Sequence, residues 1–399
     1  MGTAFRKVLV GGPSCGHGNL GDELLAELAI RAVHRLNPQA EVRLITHDVR
    51  AAKELWHVNA HSWSGHLLRC FAWADCLVAP LATMPFHGPS RVARLLGRAR
   101  LFRRPTIVIG VGAAAPATCE PRVLRRMVKA LNHATVITTR DGPSRDYLSD
   151  VGVRRPMIVT ADPVVEVKAD GAAIDWLWEE VPWPAPRNRP FLAVCMCYVP
   201  GYELVPDPPE LAAALDWVVE KCGLPVIFVP MEPTPGRDNH YHSQVLTRMR
   251  RRNMGHVIFR RLSGPETATI FSCAHMVVGS RLHGLILAAC AGTPVIGIAR
   301  APKIDAFLAR VAEIAVDGSP KPSAQQITAH IADILDRLEL KRSEVKAGMF
   351  RMREANALNW HLLEAFLHRR LPRRLFFSAR NLDTSELRQR MSLEVPCPR

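Results

Sequence analysis

The chain has 399 residues, which at ~100 to 200 residues per domain implies two or three globular units rather than one small module. Apolar residues make up 48% and charged residues 22%, enough apolar side chain to fill packed cores and too much for a disordered polymer. The net charge of +15 points to anionic partners such as phosphates, carboxylates, acidic glycans, lipid headgroups or nucleic acid.

In the N-terminal half, short β-rich runs alternate with helical ones. The spacing predicts a strand at 7–10, a helix at 22–36 with apolar residues at helical period, and a second strand at 41–46. Strands follow at 76–78, 106–110, 136–139 and 157–160, with helices at 122–131 and 144–151. Between 170 and 190 the pattern breaks into Trp176, Trp178, Pro182, Trp183, Pro184 and Pro186, a stretch that holds neither period and reads as a linker. The alternation then restarts, with strands at 191–196, 226–230, 257–259, 276–279 and 295–298. The helices that separate them are expected at 209–221, 241–251, 265–273 and 282–291. Strands separated by helices mean parallel sheets. The expected organisation is therefore an α/β chain with a Rossmann-like domain over 1–169, the 170–190 linker, a second Rossmann-like domain over 191–324, and C-terminal helices with a basic tail over 325–399. In doubly wound sheets ligands bind beyond the carboxyl ends of the strands, and with two halves the natural place is the cleft they face.

The ten cysteines include no Cys-x-x-Cys pair, so neither a zinc ribbon nor a thioredoxin-like motif is expected. Cys195 and Cys197 read as buried free thiols, and a reducing compartment suits them. No His, Asp and Glu cluster has metal-ligand spacing. The apolar run before Gly11 is too short for a signal peptide. The stretch 282–299 is interrupted by His283, Gly292, Thr293 and Pro294 and reads as a helix followed by a strand, so no transmembrane segment is expected. The tail from Arg369 to Phe377 is basic and Pro-broken, which fits either a solvated tail or contact with an anionic membrane surface or lipid-linked glycan. No nucleic-acid-binding motif accompanies the charge.

Three constellations carry chemistry. The first is the glycine-rich turn 11–23, in which Gly16, Gly18 and Gly21 spell a literal Gly-x-Gly-x-x-Gly, with Asp48 placed where a ribose-binding acid would sit. Against a dinucleotide site, Asp22 and Glu23 occupy the helix start, where a pyrophosphate needs positive potential. Those acids suit stabilisation of the helix terminus, or acceptance of a proton from a substrate hydroxyl. The second is Gly279-Ser280-Arg281-Leu282-His283, where a strand stops and a helix starts. Arg281 offers a planar fork for carboxylate or phosphate, and His283 can carry or release a proton near neutral pH. Lys303 leaves the next strand on the same edge. The third is Thr139-Arg140-Asp141 in the first half. With the halves closed, Arg140, Arg281, Lys303 and His283 would meet around one small anion.

Taken together, Gly18-Asn19-Leu20-Gly21-Asp22-Glu23, Arg140-Asp141 with Ser144 and Leu148, Ala161-Asp162-Pro163, Gly279-Ser280-Arg281-Leu282-His283 and Pro302-Lys303-Ile304 resemble the polysaccharide pyruvyltransferase family. The resemblance implies a two-domain glycosyltransferase-B-like (GT-B-like) fold, with the acceptor on the first domain and the donor on the second. It also implies transfer of the enolpyruvyl unit of phosphoenolpyruvate to two sugar hydroxyls of a glycan or lipid-linked oligosaccharide. The products are a pyruvate ketal and phosphate, phosphoenolpyruvate is the co-substrate, and there is no other cofactor. Arg140, His283 and Lys303 match the donor-holding positions, His283 as the acid, with Arg281 in the same motif. The segment Ala79 to Gly88 lacks the glycine triplet of other members, and Arg300-Ala301 stands where Tyr-Asp is common. The implied setting is the cytoplasm or the inner face of the membrane. Two alternatives are a nucleotide-sugar glycosyltransferase or epimerase on the same fold, and a non-catalytic glycan-binding relative.

Overall fold

The structure is a computed structural model that describes residues 4–12, 15–63, 65–83, 91–113, 120–169, 171, 174–183, 189–200, 205–299 and 301–371. It divides into two compact units. The first holds residues 1–17, 25–163 and 352 onward, and the second holds 18–24 and 164–351.

The chain begins with β1 (Lys7–Gly11), α1 (Leu20–Leu36), β2 (Glu41–Thr46), α2 (Val49–Trp56), β3 (Asn59–Ser62), α3 (Leu67–Trp73) and β4 (Cys76–Pro80). It continues through α4 (Arg91–Leu101), β5 (Thr106–Val111), α5 (Pro121–Leu131), β6 (Val136–Thr139), α6 (Gly142–Asp150) and β7 (Met157–Val159). The seven strands form one parallel sheet in the order β3-β2-β1-β4-β5-β6-β7. Successive side chains of a strand point to opposite faces, so Val8 and Val10 join one apolar cluster and Leu9 another. The first cluster contains α1 and α2, and the second contains α3, α4, α5 and α6. Helices on both faces explain why the central strands β1, β4 and β5 are largely apolar rather than alternating.

The second unit starts with α7 (Asp175–Glu180), β8 (Phe191–Cys195), α8 (Pro208–Cys222), β9 (Val226–Phe228), α9 (Asp238–Arg248) and β10 (Gly255–Val257). Then come α10 (Gly264–Cys273), β11 (Ala274–Gly279), α11 (Leu282–Cys290), β12 (Val295–Gly297), α12 (Pro302–Leu308), α13 (Ala324–Asp336) and α14 (Leu338–Leu367). Its five strands are parallel in the order β10-β9-β8-β11-β12. Leu192, Val194, Val226, Phe228, Met276 and Val278 pack with α8, α9 and α13. Ser263 and Ser323 start α10 and α13 with capping boxes, their hydroxyls accepting from the backbone N–H three residues on.

Three features differ from the expected organisation. The first unit contains α2, β3, α3 and α4, which periodicity did not single out; β3 is the polar edge run Asn59-Ala60-His61-Ser62, and edge strands need no apolar alternation. The stretch expected as a linker holds α7, anchored by buried Leu177, and the units divide at 163/164 instead. Finally, the C-terminal helical segment is present but is shared between the two units. Residues 324–351 belong to the second unit, and α14 from Met352 belongs to the first. There Asn359 Oδ1 accepts from the hydroxyls of Thr138 (2.5 Å) and Thr160 (3.0 Å), and its Nδ2 donates to Ala161 O (3.0 Å). Residues 372–377 of the basic tail lie outside the described residues, as do 84–88 of the segment without a glycine triplet and Arg300.

Candidate active site

The carboxyl edge of the second sheet is organised by one buried acid. Asp238, fully shielded from solvent, opens α9 and accepts from the backbone N–H of Tyr198 (3.1 Å), Met231 (3.1 Å) and Glu232 (3.0 Å). Arg281, which precedes α11, donates from Nε to both its oxygens (3.2 and 3.0 Å) and from Nη2 to Oδ1 (2.6 Å). The same Nη2 reaches Glu232 Oε2 at 2.8 Å. The loops after β8, β9 and β11 are thus tied to a single carboxylate. Burial opposes the charge on Arg281, but Asp238, with Cys197 and Glu232, outweighs it and holds the guanidinium far above its ordinary range. The Nε–Nη2 edge of the fork that the sequence suggested for a ligand anion is therefore engaged by two carboxylates of the protein.

His242 lies one turn after Asp238 on α9 and is fully buried. Its Nε2 accepts from Met196 N–H at 3.2 Å, and burial drives its pKa down to about 4 despite the attraction of Asp238. It is a neutral packing group. Burial likewise pushes the Cys195 thiol far up, which removes it as a nucleophile. Cys195 and Cys197 are buried and form no disulfide.

Against this edge lies the glycine-rich turn. Leu20 N–H donates to Met231 O at 2.9 Å. A Cβ on Gly21 would fall 1.8 Å from Nδ1 of His283, so the imidazole rests directly on the loop backbone and only glycine leaves it room. Asn19 Oδ1 accepts from Gly21 N–H (3.1 Å), and Glu23 Oε1 accepts from Gly18 N–H (3.2 Å). Gly18 has φ +85°, a left-handed conformation that favours glycine. Glu23 is buried, ion-paired with Arg261. Burial raises its pKa and Arg261 pulls it back.

Asp22 is half-buried at the start of α1. Burial raises its pKa, Glu232 adds to the rise, and His283, Lys303 and Arg281 oppose it. The structure therefore brings Asp22, Arg281, His283 and Lys303 into one electrostatic neighbourhood. A carboxyl with raised proton affinity beside an imidazole and an ammonium can exchange protons with a bound hydroxyl and hold a small anion. Sequence reading missed Glu232, Asp238 and Arg261. Only their acidity or basicity near predicted strand ends could have signalled them, and many surface residues share that feature.

Arg140 and Gly16 belong to the first unit. The Arg140 side chain is 3% exposed, with Nη1 3.4 Å from Asp162 Oδ2 and Nε 3.6 Å from Asp141 Oδ2, while Nη2 donates to Thr83 Oγ1 at 3.1 Å. A Cβ on Gly112 would fall 2.3 Å from that guanidinium. Gly16 has φ +85°, and a Cβ there would meet Asp48 N and Thr46 Oγ1 at 2.4 Å. The Asp48 carboxylate caps α2 by accepting from Ala51 N–H at 2.8 Å, so the acid offered for a ribose is engaged in a helix cap. Among the described residues no group of three His, Cys, Asp or Glu side chains is placed to hold a metal ion, and no helix is long and apolar enough to cross a membrane.

A family model described as polysaccharide pyruvyl transferase matches residues 19–302. Among curated proteins no significant sequence match is found. Several solved structures share the fold. The UDP-GlcNAc 2-epimerase from Neisseria meningitidis bound to UDP-GlcNAc has a TM-score of 0.63 at 11% identity, over 90% of this chain and 99% of that one. Anabaena Alr3699/HepE in complex with UDP-glucose gives 0.62 at 13%, over 90% and 99%. The UDP-GlcNAc 2-epimerase from Methanocaldococcus jannaschii gives 0.59 at 11%, over 89% and 99%. At these identities the likeness establishes a shared GT-B-like architecture of two parallel-sheet Rossmann-like domains.

Proposed function

The chain belongs to the polysaccharide pyruvyl transferase family, and on that premise we propose that it transfers the enolpyruvyl carbons of phosphoenolpyruvate to two hydroxyls of one sugar in a glycan or lipid-linked glycan precursor. The products are a cyclic pyruvate ketal and phosphate. The observation that carries this reading is the shared neighbourhood of Asp22, His283 and Lys303.

In this scheme His283 delivers a proton to the methylene carbon of the donor, and C2, now oxocarbenium-like, is attacked by the first sugar hydroxyl. Asp22, whose proton affinity burial raises, takes the hydroxyl proton and returns it to the imidazole. The C2–O bond to phosphate then breaks, the leaving group moves into the field of Lys303, and the second hydroxyl closes the ketal. Of the two hydroxyl protons, one ends on the new methyl group and one on phosphate. The scheme uses phosphoenolpyruvate as co-substrate and asks for no resident cofactor. Arg281, spent on Asp238 and Glu232, acts as a positioning residue that fixes the corner from which His283 projects. Arg140, buried against Asp162 and Asp141 in the first unit, takes no part in this scheme. The donor places the reaction in the cytoplasm, with the acceptor free or held at the inner face of the membrane.

The test is phosphate release from phosphoenolpyruvate in the presence of acceptor glycan, with the ketal read by mass. His283→Ala is expected to lower turnover by at least ~100-fold, and a variant with full activity removes His283 from the mechanism. The structures bound to UDP sugars favour one second reading, a nucleotide-sugar enzyme on the same fold. Thermal stabilisation by a UDP sugar but not by phosphoenolpyruvate would select it.

A further inference from the structure

The positive charge of the chain is not spread evenly. Residues 91–133 hold ten Lys or Arg against the single acid Glu120, so this stretch supplies an excess of nine out of the chain's +15. It consists largely of α4 and α5, which pack side by side on one face of the first sheet and carry no acidic residue. Their apolar residues Val92, Leu95, Leu96, Met127, Ala130 and Leu131 are buried in the core. The opposite faces are cationic, with Arg94 and Arg100 on α4 and Arg122, Arg125, Arg126 and Lys129 on α5 all exposed. The two helices enclose a groove of ≈ 470 Å³ walled by Arg94, Arg100, Arg126 and Lys129 and floored by Val123 and Ala130. At the end of α4, Leu101 is 65% exposed between Arg100 and Arg103.

We infer that the α4–α5 face is a docking surface for an anionic lipid bilayer. Two paired helices presenting cations over an apolar groove match the pattern of protein surfaces that lie on charged membranes. Three observations favour a bilayer over a soluble polyanion. The cations are spread over a broad face rather than converging on one point. Leu101, 65% exposed at the end of α4, offers an apolar side chain that can enter an acyl-chain boundary. Neither helix contains an aromatic residue, so a single-stranded nucleic acid would find no stacking platform. The surface belongs wholly to the first unit and is independent of the reaction proposed above. It also differs from the basic tail beyond residue 371, which the sequence suggested for this contact.

The experiment is co-sedimentation of the full chain with vesicles of neutral phosphatidylcholine, and with vesicles in which about 30% of the lipid is phosphatidylglycerol. Binding is expected only to the anionic vesicles at ~0.1 M salt and should be lost near ~1 M salt. The variant R125E/R126E/K129E changes three exposed side chains and should keep its melting temperature. Its partition should fall by about 100-fold, since each lost cation weakens attraction to an anionic surface several-fold. A tail variant, R373E/R374E, should bind like the parent. Equal binding to neutral vesicles, loss in the tail variant alone, or tighter binding to a single-stranded oligonucleotide than to vesicles would overturn the assignment.

Discussion

Two arginines leave the carboxyl ends of strands in this molecule, and their surroundings differ in a way that a sequence cannot display. Arg140, at the end of β6, faces Asp162 and Asp141. That corner is buried, and there the two carboxylates outnumber the guanidinium. Arg281, after β11, also faces two carboxylates, Asp238 and Glu232, but other charged side chains share its neighbourhood. Arg237 lies 3.3 Å from Glu232, and Lys303 and His283 act on Asp22 there. With Asp22 ionised, three cations meet three anions. Protonation of Asp22 or His283 tips the balance positive. An arginine at a strand end is thus no guide to an anion site by itself; what matters is whether its neighbours leave positive charge to spare.

The sharpest way to break this comparison is to remove the acid from each corner. Asp238→Ala strips Arg281 of its main partner and leaves three backbone N–H groups without an acceptor. A loss of ~3–5 kcal/mol is expected, because Arg281 is left with Glu232 while three buried N–H groups lose their acceptor. Asp162→Ala leaves Asp141 beside Arg140, so its cost should be smaller by at least ~1 kcal/mol. Chemical denaturation of both variants decides the matter, and equal losses would show that the two corners are built alike.

The second-unit corner should also carry a pH signature. His242 has a folded pKa lowered from 6.5 to about 4. Between those values the unfolded chain binds more protons than the folded one, so stability rises with pH through that window. The contribution is complete above 6.5, is lost as pH falls toward 4, and amounts to about 3 kcal/mol. His242→Gln, whose amide oxygen can still accept from Met196 N–H, should flatten the stability curve between these limits. An unchanged slope would mean that other groups dominate acid unfolding.

Much of the fold was legible because parallel strands buried on both faces are long apolar runs, as at Val8 to Val10 and Val277 to Val278, and because glycine and proline punctuate them. The polar edge strand Asn59–Ser62 was not legible, since nothing at an edge requires burial. Nor was the return of α14 to the first unit, where Leu362, Leu363 and Phe366 join the core and Asn359 meets Thr138 and Thr160 more than 190 residues away in sequence. At the site, the motif residues stood out by spacing, whereas the state of Arg281 did not. Whether a guanidinium is open or spent depends on Asp238, which a linear reading cannot connect to it.

The charge balance leads to a final and smaller effect, confined to the second unit. If Asp22 is the residue that tips the balance, Asp22→Asn should leave a permanent excess of positive charge beside Lys303 and His283. One unit of charge a few ångströms away, partly screened, is worth about a factor of ten. Inorganic phosphate, titrated by calorimetry, should therefore bind about tenfold tighter to the variant. Turnover should fall instead, because the asparagine amide cannot take a proton from the attacking hydroxyl. Tighter binding with lost turnover separates Asp22 as a proton acceptor from Asp22 as a mere helix-terminus charge. A variant with unchanged phosphate affinity would show that the carboxyl already holds its proton in the resting protein, and the proton would then have to be taken elsewhere.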